Sequence, residues 1–317
     1  MLRALAGEPL PSAGFSNASI TRVTLGGHPF VLKRTTLARD WTACRSGDAR
    51  GREALLLSDE ACAGVWEIFD CPYVAYEIGG GEIALLMRDL SDHLFPDART
   101  PLAEEQETAL LGALARMHAR FWGSRAPSCE WLARVENYCD LLPPSDDCAL
   151  LPPALREQVT RGWAAAMSRV PEVVAERLTR SGREWAREWD DLPKTLLHGD
   201  VKVANFAMIG EDKVAAFDWA MTGAGPCSVD LGWYLAVNAS RLAGTKEDVI
   251  RRYRALLGMA IDEDTWRRLE DAAVVCGAKL LLWSKALALE SGRTGAEEEW
   301  NWWIDRLTGC RNDRMTE

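Results

Sequence analysis

The feature that most constrains this chain is the string His198-Gly199-Asp200-Val201-Lys202-Val203-Ala204-Asn205, followed by Phe217-Asp218-Trp219. It sets a carboxylate, a lysine and a carboxamide at fixed offsets, then adds a second carboxylate. Residues 195–197 and 214–217 read as short strands flanking the first motif, so Asp218 arrives from a strand end. Phosphoryl transfer from a magnesium nucleotide needs such a set. One carboxylate orients the acceptor hydroxyl, an Asn and a second carboxylate hold metal ions, and a cation offsets charge on the moving group.

The two motifs together resemble the aminoglycoside phosphotransferase and choline kinase-like family, small-molecule kinases built on the protein-kinase fold. His-Gly-Asp stands where protein kinases carry His-Arg-Asp, and a hydrophobic-Asp-Trp motif replaces Asp-Phe-Gly. The resemblance covers nearly the whole chain. It implies an α+β, bilobal fold with a small strand-rich N-lobe and a larger, mainly helical C-lobe. It also implies ATP and Mg2+ as cofactors. The acceptor is then a hydroxyl of a small molecule such as an aminoglycoside-like antibiotic, an amino alcohol or a sugar.

Several roles follow from the resemblance. Asp200 is the catalytic carboxylate, and Lys202 contacts the γ-phosphate. Asn205 and Asp218 are the magnesium ligands. Lys33, after Val31-Leu32, matches the lysine on the α- and β-phosphates, with Glu53 as its partner and Glu60 as the fallback. His198 holds the catalytic loop rather than moving protons. Asp230 braces that loop from a helix start capped by Ser228. The stretch Leu85-Leu86-Met87-Arg88-Asp89-Leu90 resembles the hinge that meets the adenine through backbone groups of Met87 to Leu90. No Gly-x-Gly-x-x-Gly is present. The phosphate-covering loop falls on Gly14-Phe15-Ser16-Asn17-Ala18-Ser19, where backbone N–H groups and the side chains of Ser16 and Asn17 suit phosphate oxygens. The short span from Trp219 to Ser228 leaves no room for a phosphorylation-switched activation loop.

The rest of the pattern agrees with two lobes. Residues 20–25 and 29–35 read as strands joined across Gly26-Gly27-His28, a step suited to a tight hairpin. Residues 50–63 read as a helix with Ala54, Leu57 and Ala61 on one face. Residues 73–78 and 82–88 read as two more strands around Gly79-Gly80-Gly81. Helical periodicity takes over at 102–122, through Leu110, Leu111, Leu114, Met117 and Phe121. It continues at 159–185, interrupted at Pro171, and from Ser228 onward. Residues 91–101 mark the boundary, giving a nucleotide-binding lobe at 1–95 and a helical lobe at 96–317. Residues 143–153 read as a loop or insertion.

At 317 residues the chain can bury a large core. Its net charge of −10 argues against nucleic acid and anionic membranes and is compatible with a cationic acceptor. The acidic excess is spread along the chain, as on a solvated surface. Nine cysteines form no Cys-x-x-Cys pair and only four histidines accompany them, so reduced thiols in the cytoplasm are expected rather than a disulfide frame or a zinc site. The N-terminus lacks a signal-peptide core, and the apolar stretch 272–289, broken by Lys279 and Lys285, reads as a buried helix. Trp300, Trp302 and Trp303 beside Glu297, Glu298 and Glu299 suit either a terminal helix anchored on the core or a cation site. Trp233, Tyr234 and Asn238 are positioned to border the acceptor. Two other readings stay open. One is a nucleotide-binding pseudokinase with a regulatory role. The other is a metallophosphoesterase, for which His28, His93 and His118 lack ligand spacing. Neither acceptor identity nor oligomeric state can be read from the chain.

Overall fold

The computed structural model describes residues 1–10, 16–95, 100–144, 151–210 and 213–309. The N-terminal part is built on β1 (Glu8–Pro9), β2 (Ser19–Leu25), β3 (His28–Thr36), α1 (Trp41–Ser46), α2 (Arg52–Leu55), β4 (Tyr73–Gly79) and β5 (Glu82–Arg88). The strands form one antiparallel sheet in the order β1-β2-β3-β5-β4. Gly26 and Gly27 both take positive φ, 59° and 83°, which matches the turn to the twist of β2 and β3. The register sets Lys33 opposite Ile20 on one side and Leu85 on the other. Lys33 is therefore carried on the middle strand, on the sheet face it shares with Ile83 and Leu85 and opposite the small apolar core of Leu32, Ala84 and Leu86.

The helix expected at 50–63 is broken. Asp48 opens α2 by accepting the N–H groups of Arg50, Gly51 and Arg52. Four residues later the chain turns. Asp59 then accepts the N–H of Ala61 and the indole N–H of Trp131, starting a separate 3-10 segment at Glu60–Glu67. Local side-chain bonds of this kind compete with helix continuation. The break leaves Glu53 buried on α2 and Glu60 exposed.

The remainder is mainly helical. It comprises α3 (Glu104–Arg120), α4 (Val135–Cys139), α5 (Pro153–Met167), α6 (Glu172–Thr179) and α7 (Gly182–Glu188). Then come β6 (Lys194–Leu197), β7 (Phe206–Met208), β8 (Val214–Ala216) and β9 (Gly223–Pro226). Helices α8 (Ser228–Val237), α9 (Lys246–Leu257), α10 (Glu263–Glu290) and α11 (Ala296–Leu307) follow. The expected helix at 159–185 is three pieces. Pro171 precedes α6, and Ser181 opens α7 through a reciprocal capping box with Glu184. Residues 145–150, inside the expected loop at 143–153, lie outside the described residues.

Strands β6 and β9 pair, as do β7 and β8, so the string from His198 to Asn205 sits between two short ladders. Helix α10 is long and apolar enough to cross a membrane by length and composition. It packs against α5, α8 and α11, and Lys279 and Lys285 satisfy their ammonium groups on backbone carbonyls. Helices α8 and α10 meet at glycines. A Cβ on Gly232 would lie 2.1 Å from the Ala273 carbonyl oxygen, and one on Gly277 2.6 Å from that of Gly232. This close crossing fixes α8, and with it Asp230. The seven cysteines among the described residues are free thiols.

Candidate active site

The turn from His198 to Asp200 is held from behind. Gly199 has φ of 81°, and a Cβ there would come 2.1 Å from the Met221 carbonyl oxygen, so only glycine fits. Asp230, fully buried, accepts the N–H groups of His198 and Gly199 at 2.8 Å each and the His118 ring at 3.1 Å. Asn238 accepts from the Val203 N–H and donates to the Val201 carbonyl. His198 lies between the rings of Phe206 and Trp219. Its Nδ1 accepts the Asp200 N–H, so the proton sits on Nε2, which donates to the Phe217 carbonyl. Burial lowers its pKa, keeping the ring neutral in this bracing role. Ser228 does not cap α8. It is the first helical residue, behind Cys227.

Two cations and three carboxylates meet in front of this turn. Lys33 Nζ lies 2.6 Å from Glu53 Oε2 and 2.6 Å from Asp218 Oδ1. Burial alone would lower the Lys33 pKa, but the charges of Asp218 and Glu53 outweigh it and hold the ammonium above its ordinary range. Burial raises Glu53, with Lys33 offsetting only part of that. Burial also acts to raise Asp218, yet Lys33 brings it below the usual carboxylate value. Lys202 Nζ donates to Asp200 Oδ2 at 2.8 Å, as does Asn205 Nδ2 at 3.1 Å. Burial disfavours the Lys202 charge, and Asp200 reverses that. The other Asp200 oxygen, Oδ1, is buried without a partner. Asp218 is the single non-glycine residue with positive φ among the described residues, at 62°. That conformation turns its carboxylate out of the β8 end toward Lys33.

Tyr73 was not singled out by the sequence. The pairing of β4 with β5 shifts register between Tyr73 and Ala75, a bulge that re-aims the side chain. Its hydroxyl donates to Glu53 Oε1 at 2.7 Å and accepts the Asp218 N–H at 3.1 Å. Burial, then the charge of Glu53, raises its pKa well above the usual phenol value, so it remains a donor.

Two cavities share this cluster. One, of about 380 Å³, runs under the sheet from Val31 to Met87, Leu90 and Ser91 and reaches Asn205 and Asp218. The other, of about 150 Å³, opens on the far side toward Asp200, Trp41, Trp233 and Trp283. Lys33, Glu53, Ser16, Lys202 and Asp218 line both. Of the residues expected here, Asn17 lines neither: it is exposed and donates to the Arg39 carbonyl. Gly14 and Phe15 lie outside the described residues. Trp233 borders the second cavity, whereas Tyr234 is interior and donates to Glu107, and Asn238 serves the loop. The tryptophan and glutamate cluster of α11 is occupied by the chain's own lysines. Glu299 pairs with Lys246 and with Lys285, and Lys246 lies 4.8 Å from the Trp302 ring centre. Among the described residues no group of three His, Cys, Asp or Glu side chains is arranged to hold a metal.

A five-stranded antiparallel sheet over a mainly helical part, with this cluster between them, defines a kinase-like small-molecule phosphotransferase. A family model described as the phosphotransferase enzyme family matches residues 8–271. The chain belongs to that family and is a small-molecule kinase. No curated protein matches it. Among solved structures, the choline kinase LicA from Streptococcus pneumoniae is similar at a TM-score of 0.54 and 9% identity, over 97% of this chain and 95% of that one. LicA in complex with AMP gives 0.51 at 10% identity, over 97% and 92%. The GDP complex of a mutant aminoglycoside 2′-phosphotransferase-IIIa gives 0.50 at 13%, over 96% and 90%. At such identities the likeness is one of fold.

Proposed function

We propose that the protein transfers the γ-phosphate of ATP, with Mg2+, to a hydroxyl group of a small molecule. The observation that carries this reading is the meeting of the two cavities at Lys33, Lys202 and Asp218, with Asp200 lining the second cavity beside them. A nucleotide on the Met87–Leu90 side then points its phosphates at Lys33 and Lys202, in keeping with the AMP and GDP held by two structures of like fold. An acceptor on the other side meets the unpartnered Oδ1 of Asp200.

The residues also fit a magnesium ion. Asn205 spends its Nδ2 on Asp200 and keeps Oδ1, while Asp218 gives one oxygen to Lys33 and keeps Oδ2. Both are hard oxygen donors, and magnesium typically takes one or two protein oxygens together with phosphate oxygens and water. The ion would offset phosphate charge when bound. Asp200 orients the attacking hydroxyl and receives its proton. Lys202 donates to Asp200 and faces the same phosphates. Lys33, fixed by Glu53, holds the rest of the chain of phosphates in line. Residues 1–95 serve as the nucleotide lobe and 96–317 as the lobe of catalytic loop and acceptor. The test is Mg-ATP binding followed by calorimetry in the wild type, Asp200→Asn and Asp218→Ala. Normal binding in the first variant and weakened binding in the second support the assignment. Equal binding by all three rejects the metal role of Asp218.

A further inference from the structure

The Asp200 side of the site has a chemistry of its own. Its walls are Trp41 of α1, Leu141 and Leu142 after α4, Trp233 of α8, and Leu280 and Trp283 of α10. Four buried polar atoms on residues lining this cavity have no hydrogen-bond partner: Asp200 Oδ1, Asp40 Oδ2, Trp233 Nε1 and Thr35 Oγ1. Buried polar groups are normally paired, so four on one small cavity are a coherent set rather than scattered defects. Asp40 is 3% exposed and Trp233 6%. Of the other carboxylates lining it, Asp48 is consumed by three backbone N–H groups, Glu53 by Lys33 and Tyr73, and Asp218 gives one oxygen to Lys33.

We infer that the acceptor is a compact alcohol with an apolar body, whose polar end donates a hydrogen bond to Asp40 and accepts one from Trp233. This rests on the kinase reading above, since it assigns the alcohol to Asp200. The complement is specific: the reacting hydroxyl to Asp200 Oδ1, a second donor to Asp40 Oδ2, an acceptor to the indole N–H, and aliphatic or aromatic surface against the leucines and tryptophans. A polyhydroxylated, polycationic aminosugar is excluded by the same walls. Each of its hydroxyls or ammoniums facing leucine or indole carbon goes unpaired, at roughly tenfold in affinity apiece. The donor can be an amide N–H or a protonated amine, and both present the same hydrogen to Asp40.

Asp40 is also the N-cap of α1, where Oδ1 accepts the Ala43 N–H at 2.9 Å. Asparagine caps as well as aspartate, so Asp40→Asn keeps the helix while replacing the free oxygen's charge. Trp233→Phe removes the N–H and keeps an aromatic ring. The test is tryptophan-fluorescence titration without nucleotide, using N-acetylphenylalaninol, phenylalaninol, 2-phenylethanol and kanamycin on the wild type and both variants. Expected is saturable binding of one or both phenylalaninols at least tenfold tighter than 2-phenylethanol or kanamycin. That preference should fall about tenfold in Trp233→Phe, and in Asp40→Asn most for the amine. Kanamycin binding as tightly as the apolar alcohols, no saturable binding by any of them, or equal affinities in all three proteins overturns the inference. ADP release with Mg-ATP is read separately. Binding without ADP release retains the apolar chamber and rejects the kinase reading, whereas ADP release with kanamycin alone does the reverse.

Discussion

Replacing Tyr73 with phenylalanine removes one oxygen that touches both Glu53 and Asp218 in the proposed phosphate site. The lost bond to Glu53 is a hydrogen bond to a charged group, worth about 1.5–3 kcal/mol. The Asp218 N–H also loses its acceptor, at a part-buried position where water replaces some of that bond. The sum is about 2–3 kcal/mol. For a chain of this size that lowers the melting temperature by roughly 5 °C. Glu53 and Asp218 are the two groups that fix Lys33, so about half of the loss falls on nucleotide binding, or about tenfold in affinity. There is a pH consequence as well. Burial holds the Glu53 pKa up and the Tyr73 bond pulls it down. Without the hydroxyl the Glu53 pKa rises further, and the acid limb of nucleotide binding moves to higher pH. Thermal unfolding and Mg-ATP titration across the acid range measure all three effects. An unchanged melting temperature, with unchanged affinity and acid limb, refutes the view that Tyr73 couples Glu53 to Asp218.

Gly199→Ala should cost at least about 3 kcal/mol, because it adds left-handed strain to a Cβ contact with the Met221 carbonyl; denaturant unfolding measures it. The neutral, buried His198 binds no proton while the unfolded chain does below about pH 6.5. Stability should therefore fall as pH drops through that value and level off below the folded-state pKa. Urea midpoints at about pH 8 and about pH 5.5 should show a drop that shrinks in His198→Gln.

Much of the site was legible because the catalytic string is local. Asp200, Lys202 and Asn205 lie within six residues, and Asp218 comes from the far strand of the hairpin that follows. Lys33, after Val31-Leu32, and Glu53, in Arg52-Glu53-Ala54, were singled out through the family resemblance, and the helix carrying Glu53 is much shorter than its pattern suggested. Past its end Asp59 starts a separate 3-10 segment, tied by a side-chain bond to Trp131, a partner distant in sequence. Tyr73 and Asp40 left no such trace. Tyr73 depends on a one-residue bulge, and Asp40 on how the segment after β3 packs against α4 and the Trp219–Met221 turn, both set by tertiary packing. Asn17 failed for a related reason. A polar residue near a phosphate loop has several carbonyls in reach, and here it took that of Arg39. The α11 aromatic cluster was ambiguous until Lys246 and Lys285 were seen to fill it.

The central claim is transfer of a phosphoryl group to a hydroxyl under the control of Asp200. The most direct measurement uses ATP labelled at the γ-phosphate, with Mg2+ and a panel of alcohols, following where the label goes in the wild type and in Asp200→Asn. Label on an acceptor hydroxyl is expected with the wild type. The variant should transfer it at a rate lower by roughly 10²–10⁴, with ATP affinity retained. Transfer at the wild-type rate by Asp200→Asn, or label found only in inorganic phosphate, would contradict the claim.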